Sequence, residues 1–128
     1  MNARSALLGA AVLTCVCGFA ASPQASPLPT LRAAALGDLT PFQTIASDTL
    51  AVVTRGDLAA AQKRGTDLET AWDNAEDKLK PTDPTRWRVL DKAIDRVLSE
   101  LRDQQPKQAG IVAALKDLMT IMNKGGAA

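Results

Sequence analysis

From Thr40 onward the chain repeats one pattern, in which apolar residues recur at steps of three and four among polar ones and each run ends at a break. In the second run Leu58, Ala61, Gly65, Leu68, Trp72, Ala75 and Leu79 fall on one face of a helix. Trp87, Leu90, Ile94, Val97 and Leu101 repeat the spacing, and so do Ile111, Leu115, Leu118 and Met122, flanked by Val112 and Met119. The first run is looser, with Phe42, Ile45 and Val52 beside Ala46, Leu50 and Val53.

The punctuation sets the boundaries. Thr40 is expected to cap a first helix with Pro41 at its first position, running to about Arg55 and stopped by Gly56. Asp57 caps a second over Leu58 to Leu79. Pro81-Thr82-Asp83-Pro84 breaks the chain, and Asp83 caps a third helix running to about Asp103. Gln104-Gln105-Pro106 breaks again, and a fourth helix runs from about Lys107 to Asn123, ended by Gly125-Gly126. Four amphipathic stripes with short connections, and no useful run of strand alternation, predict an all-α antiparallel up-down four-helix bundle.

The N-terminus follows a different pattern. Arg4 precedes an apolar run from Ala6 to Val16 broken only by Thr14, and Gly18-Phe19-Ala20 offers small residues at a cleavage point before Ala21. These are the three parts of a secretory signal peptide, and the run is short of the about 20 residues a membrane span needs. The expected layout is a signal peptide over 1–20, a linker over 21–37 with Pro23, Pro27 and Pro29, the bundle over 38–124 and a tail over 125–128. The expected location is the periplasm, with no membrane span after signal cleavage; an uncleaved N-terminal anchor is the other outcome. Cys15 and Cys17 both fall in the leader, so the mature chain would hold no disulfide or thiolate. Thr14 and Val16 stand where a lipoprotein signal wants a small residue before the cysteine.

Composition narrows the function. The chain of 128 residues has 15 Lys and Arg against 14 Asp and Glu, and one of the fifteen, Arg4, lies in the leader. A neutral mature chain lacks the net basic face that phosphate backbones require, which argues against nucleic acid as a partner. There is no His, which removes the usual general base near neutral pH and any Ser–His or Cys–His pair. No glycine-rich phosphate loop is present. The expectation is a protein that is not an enzyme, has no catalytic residue and carries no cofactor.

Three groups of side chains could still carry chemistry. Glu69, Asp73, Glu76 and Asp77 share a helix face, and oxygen ligands suit a hard cation. Lys78 and Lys80 lie close by, and such a row is more often a solvated surface. Met119 and Met122 are one turn apart, a spacing better explained by core packing than by a soft metal. Trp72 and Trp87 flank the break at 80–83 and should sit about 10 Å and 5 Å from its tip, in neighbouring core layers. They could line a small aromatic pocket, although large core anchors are the commoner use of such rings.

Asp91 adjoins the Leu90–Ile94 seam, where a carboxylate loses solvation and needs a partner. Arg88, one turn earlier, and the indole N–H of Trp72 are the candidates. Along the third helix, Arg88–Asp91, Lys92–Asp95 and Arg96–Glu100 are spaced to pair on the surface.

Ala71-Trp72-Asp73, followed by Trp87-Arg88-Val89-Leu90-Asp91-Lys92-Ala93-Ile94-Asp95 and by Leu98 and Leu101-Arg102, resembles a group of small exported bacterial helical proteins. These share a tryptophan helix followed by a W-x-x-x-D-x-x-I-D helix, and the likeness spans Gly56 to Arg102. It implies a small exported helical domain and points to no particular activity. The histidine kinase label such proteins sometimes carry does not fit a chain without a phosphoacceptor His. Two function classes follow. One is an exported binding or interaction module for an unknown protein or small ligand in the periplasm, with Trp72, Trp87, Asp91 and Arg88 as ligand-binding candidates. The other is a carboxylate metal-binding protein using Glu69, Asp73, Glu76 and Asp77.

Overall fold

A computed structural model of the chain describes residues 36–126. The expected signal peptide, all but the last two residues of the expected linker and the end of the expected tail lie outside the described residues.

The described residues are all-helical: α1 (Thr40–Thr54), α2 (Leu58–Leu79), α3 (Pro84–Arg102) and α4 (Gln108–Asn123). The boundaries follow side-chain chemistry. Asp57 accepts a hydrogen bond from the backbone N–H of Ala60 at 3.0 Å and starts α2. Asp83 accepts from the N–H groups of Thr85 and Arg86 at 3.1 and 3.0 Å and starts α3, with Pro84 first in the helix. Gly56 takes φ +81°, a left-handed conformation that closes α1, while its N–H donates to Val53 O at 2.8 Å.

The start of α1 departs from the sequence reading. Thr40 is the first helical residue rather than the cap, and its N–H donates to Asp38 Oδ1 at 3.0 Å. An Asx acceptor two residues upstream thus serves the orphan donor, and the Thr40 carbonyl is left to accept from the Thr44 hydroxyl. The packed unit also starts before residue 38, since Leu36 is fully buried. At the other end Gly126 is buried against Leu90 and the backbone of Arg86.

Each helix packs on two others, α1 on α2 and α4, and α3 on α2 and α4. The predicted stripes of α2, α3 and α4 form one core, in which Leu68, Trp72, Trp87, Leu90, Ile94 and Leu115 are all buried, while α1 buries Phe42, Ala46 and Val53 and leaves Ile45 and Val52 partly exposed. Burying a side chain of this size contributes about 1.5–3 kcal/mol. Polar side chains tie helix to helix near their ends. Gln62 Nε2 donates to Leu101 O, and Gln108 Nε2 to Val53 O, each at 2.8 Å, so two glutamines satisfy last-turn carbonyls of a neighbouring helix. Gln43 Nε2 reaches Asn123 Oδ1 at 3.2 Å. Thr49, fully buried on α1, returns its hydroxyl to Ile45 O at 2.7 Å.

Gly65 has a packing reason to be in the middle of α2. A Cβ there would stand 2.7 Å from Leu101 Cδ1 and 3.4 Å from Leu98 Cδ2. Its missing side chain lets α2 and α3 approach closely.

Candidate functional site

The tryptophans meet in the core. The Asp83 cap and Pro84 fix the start of α3, and the Trp87 N–H closes the first turn on Asp83 O at 2.9 Å. This sets Trp87 against the C-terminal half of α2, where Trp72 projects inward. The two rings stack with centroids 3.9 Å apart and planes within 7°. Phe42 of α1 meets Trp72 edge-on at 5.2 Å and 81°. The rings therefore share one layer, not two neighbouring ones. Counting rise per residue places Cα atoms, and a difference of about one turn is within reach of two indoles leaning along their helices.

This aromatic site is filled. Trp72 is 2% exposed and Trp87 5%, and at stacking distance nothing fits between the rings. Aromatic pairs of this kind add about 0.5–1.5 kcal/mol beyond the area they bury. Trp72 Nε1 donates to Asp91 Oδ1 at 3.0 Å, one of the two partners expected for that carboxylate. Arg88, the other, is exposed and forms no ion pair among the described residues. The Asp91 carboxylate turns across to the facing helix and leaves Arg88 in water. Lys80, at the α2–α3 turn, feels the Asp91 charge, but its raised pKa comes first from its hydrogen bond with Glu76. Among the described residues Trp87 Nε1 has no hydrogen bond, and no buried side-chain nitrogen or oxygen is unpartnered.

The acidic row does not converge. Glu69 is gripped by Arg102 of α3, with Nη1 3.1 Å from Oε1 and a second contact from Nη2 to Oε2. That guanidinium holds the Glu69 carboxyl below its ordinary range, and the Arg102 value is raised in turn. Glu76 is paired with Lys80 at 2.6 Å. Asp73 and Asp77 are exposed, and among the described residues no three carboxylates group as a metal site would require. Met122 is buried in the core and Met119 packs against it.

An open groove lies elsewhere, between α3 and α4, with a volume of about 410 Å³. Its apolar lining comes from Val89 and Ala93 of α3 and from Ala114 and Ile121 of α4, and Lys92, Arg96 and Asp117 stand at its edge. Arg96 Nη1 bonds Asp117 Oδ2 at 3.1 Å, so Arg96 pairs across to α4 and not along its own helix with Glu100. Both side chains of that pair are more than half exposed, at 58% and 61%, and such ties are worth about 0–1 kcal/mol. Lys92 forms no ion pair among the described residues, neither with Asp95 nor across the groove.

Sequence reasoning missed this groove because it took the charges of α3 as a surface row. A signal was present in Val89 and Ala93, four apart and outside the core stripe, with Ala114 and Ile121 seven apart on α4. A second depression, between α1 and α4, is lined mainly by polar side chains such as Thr40, Gln43, Ser47 and Asp48.

Among the described residues no helix is long and apolar enough to cross a membrane. Comparison with family models, with curated proteins and with solved structures finds no match to this chain.

Proposed function

We propose that the protein is an exported, non-enzymatic binding module that holds its ligand on the α3–α4 face, with the tryptophan stack serving as its structural anchor. The observation that carries this reading is the groove: about 410 Å³ of open space with an apolar lining and charged groups on its edge. Small-molecule sites have this size and mixture. The buried rings favour a structural role for Trp72 and Trp87, and Asp91 is engaged with Trp72. Export to the periplasm rests on the leader at residues 1–20, and a place among small exported proteins with a W-x-x-x-D-x-x-I-D helix rests on the motif residues alone.

In this reading the four helices alternate up and down. Support comes from contacts that pair the start of one helix with the end of a neighbouring one, Gln43 of α1 with Asn123 of α4, Gln108 of α4 with Val53 of α1, and Gln62 of α2 with Leu101 of α3.

The test is a titration of the purified chain with a panel of anionic, neutral and cationic amphiphiles, followed by backbone amide shifts. At least one member is expected to shift Val89, Ala93, Ala114 and Ile121. Silence at those amides across the panel, or shifts confined to the surroundings of Trp72, contradicts the reading. Mass spectrometry of the exported product tests the leader: cleavage before Ala21 is expected, and a mass retaining Cys15 or acyl chains opposes it.

A further inference from the structure

Resting on the reading of the α3–α4 face as the binding surface, we infer that the groove takes a free amphipathic monoanion, such as a medium-chain carboxylate, with its headgroup on Lys92 and Arg96 and its tail on Val89, Ala93, Ala114 and Ile121. Lys92 and Arg96 are four residues apart on α3, so they stand on the same edge one turn from each other. Apart from Asp117 and Thr120 the rest of the lining is apolar. The edge carries two cations and one carboxylate, Asp117, and so keeps one unit of positive charge.

The available donors match one anion. Lys92 has no ion pair to give up among the described residues. Arg96 holds Asp117 only through a solvent-exposed contact of 3.1 Å, which an incoming carboxylate can replace with a similar bond. A guanidinium presents a planar fork that suits a carboxylate, while the ammonium of Lys92 adds a second charge. A neutral amphiphile would gain the apolar contacts alone. A cation would meet Lys92 and Arg96 at the mouth. A dianion would exceed the net charge that the edge supplies.

The occupant is a free molecule rather than a membrane surface. The apolar lining sits in a depression between two helices, which a single chain can enter and a flat bilayer cannot. The groove lining supplies two cations, Lys92 and Arg96, fewer than the cluster of about four to eight Lys and Arg that marks a site for anionic lipid.

The experiment uses the purified full chain with octanoate, octyl glucoside and acetate as separate probes, followed by amide shifts and calorimetry, together with vesicles of anionic phosphatidylglycerol. Octanoate is expected to bind about five- to tenfold more tightly than octyl glucoside, with acetate weaker than both. Lys92→Gln and Arg96→Gln, both at exposed positions, should each erase most of that preference with little change in the unfolding midpoint. Equal binding of octanoate and octyl glucoside at the groove amides overturns the anion assignment and leaves the binding face standing. Vesicle binding without octanoate binding also overturns it. If none of these probes shifts the groove amides the inference fails, and if the cationic amphiphiles of the wider panel are silent there too the reading beneath it fails with it.

Discussion

Trp72 of α2 donates its indole N–H to Asp91 of α3 over 3.0 Å, so a buried ring and a half-buried carboxylate tie the two helices together. The bond completes the stack, since the same Trp72 ring lies flat on Trp87 at 3.9 Å. Asp91→Asn keeps an acceptor for the N–H and should be tolerated. Asp91→Leu leaves a buried donor unpaired and should cost about 1–3 kcal/mol in chemical denaturation. Equal losses in the two variants would mean that the bond does not tie the helices together.

Trp87→Ala removes a ring that is 5% exposed and leaves a cavity beside Trp72. The expected loss of stability is about 3–5 kcal/mol, the range for large aromatic deletions in cores. A loss well below 1 kcal/mol would show that the ring contributes little to packing.

Gly65→Ala sets two effects against each other. Helix propensity favours Ala by about 1 kcal/mol. The new Cβ would stand 2.7 Å from Leu101 Cδ1, the end of a side chain that is itself buried and cannot swing away freely. Overpacking of this kind costs about 1–3 kcal/mol, so net destabilisation is expected. A rise in the thermal midpoint would contradict the close approach of α2 and α3.

Much of this fold is legible in the sequence because its signals are local. Asp57 and Asp83 cap within three residues of their own position, and the stripes of α2 and α3 state which face is buried. The Trp72–Asp91 pair is legible too, because an indole at the core and a carboxylate at its edge each need a partner. Stacking of Trp72 on Trp87 is not, since residue counts give helix height and not ring orientation. Arg88 is the obvious partner of Asp91 by spacing alone, yet the carboxylate turns toward the opposing helix. The acidic row reads as one set only until Arg102, thirty-three residues from Glu69, takes one member away. The α3–α4 groove depends on how two helices are juxtaposed, which no single run of residues states.

Acid should loosen the α2–α3 contact in part through Glu69. Its folded pKa is lowered by Arg102, so the stability it contributes is present above the ordinary glutamate value of about 4.3 and is lost as pH falls through the lowered value. Glu69→Gln should lower stability at neutral pH and flatten the acid limb of the stability curve. Asp38 shifts in the same direction through hydrogen bonds from the Thr40 side chain and backbone N–H, so it adds to the acid loss at the start of α1. An acid limb unchanged by Glu69→Gln would place the sensitivity elsewhere.

The division of labour between a buried aromatic anchor and an open α3–α4 groove is tested most directly by one octanoate titration, read by backbone amide NMR, on the wild-type chain and on Ala93→Leu. Ala93 is partly exposed on the groove, so a leucine there fills the space without entering the tryptophan stack. Saturable shifts are expected at Lys92, Ala114 and Ile121 in the wild type and should vanish in Ala93→Leu, while the amides around Trp72 stay in place in both. A titration unchanged by Ala93→Leu, or shifts gathered around Trp72 and Trp87, would contradict it.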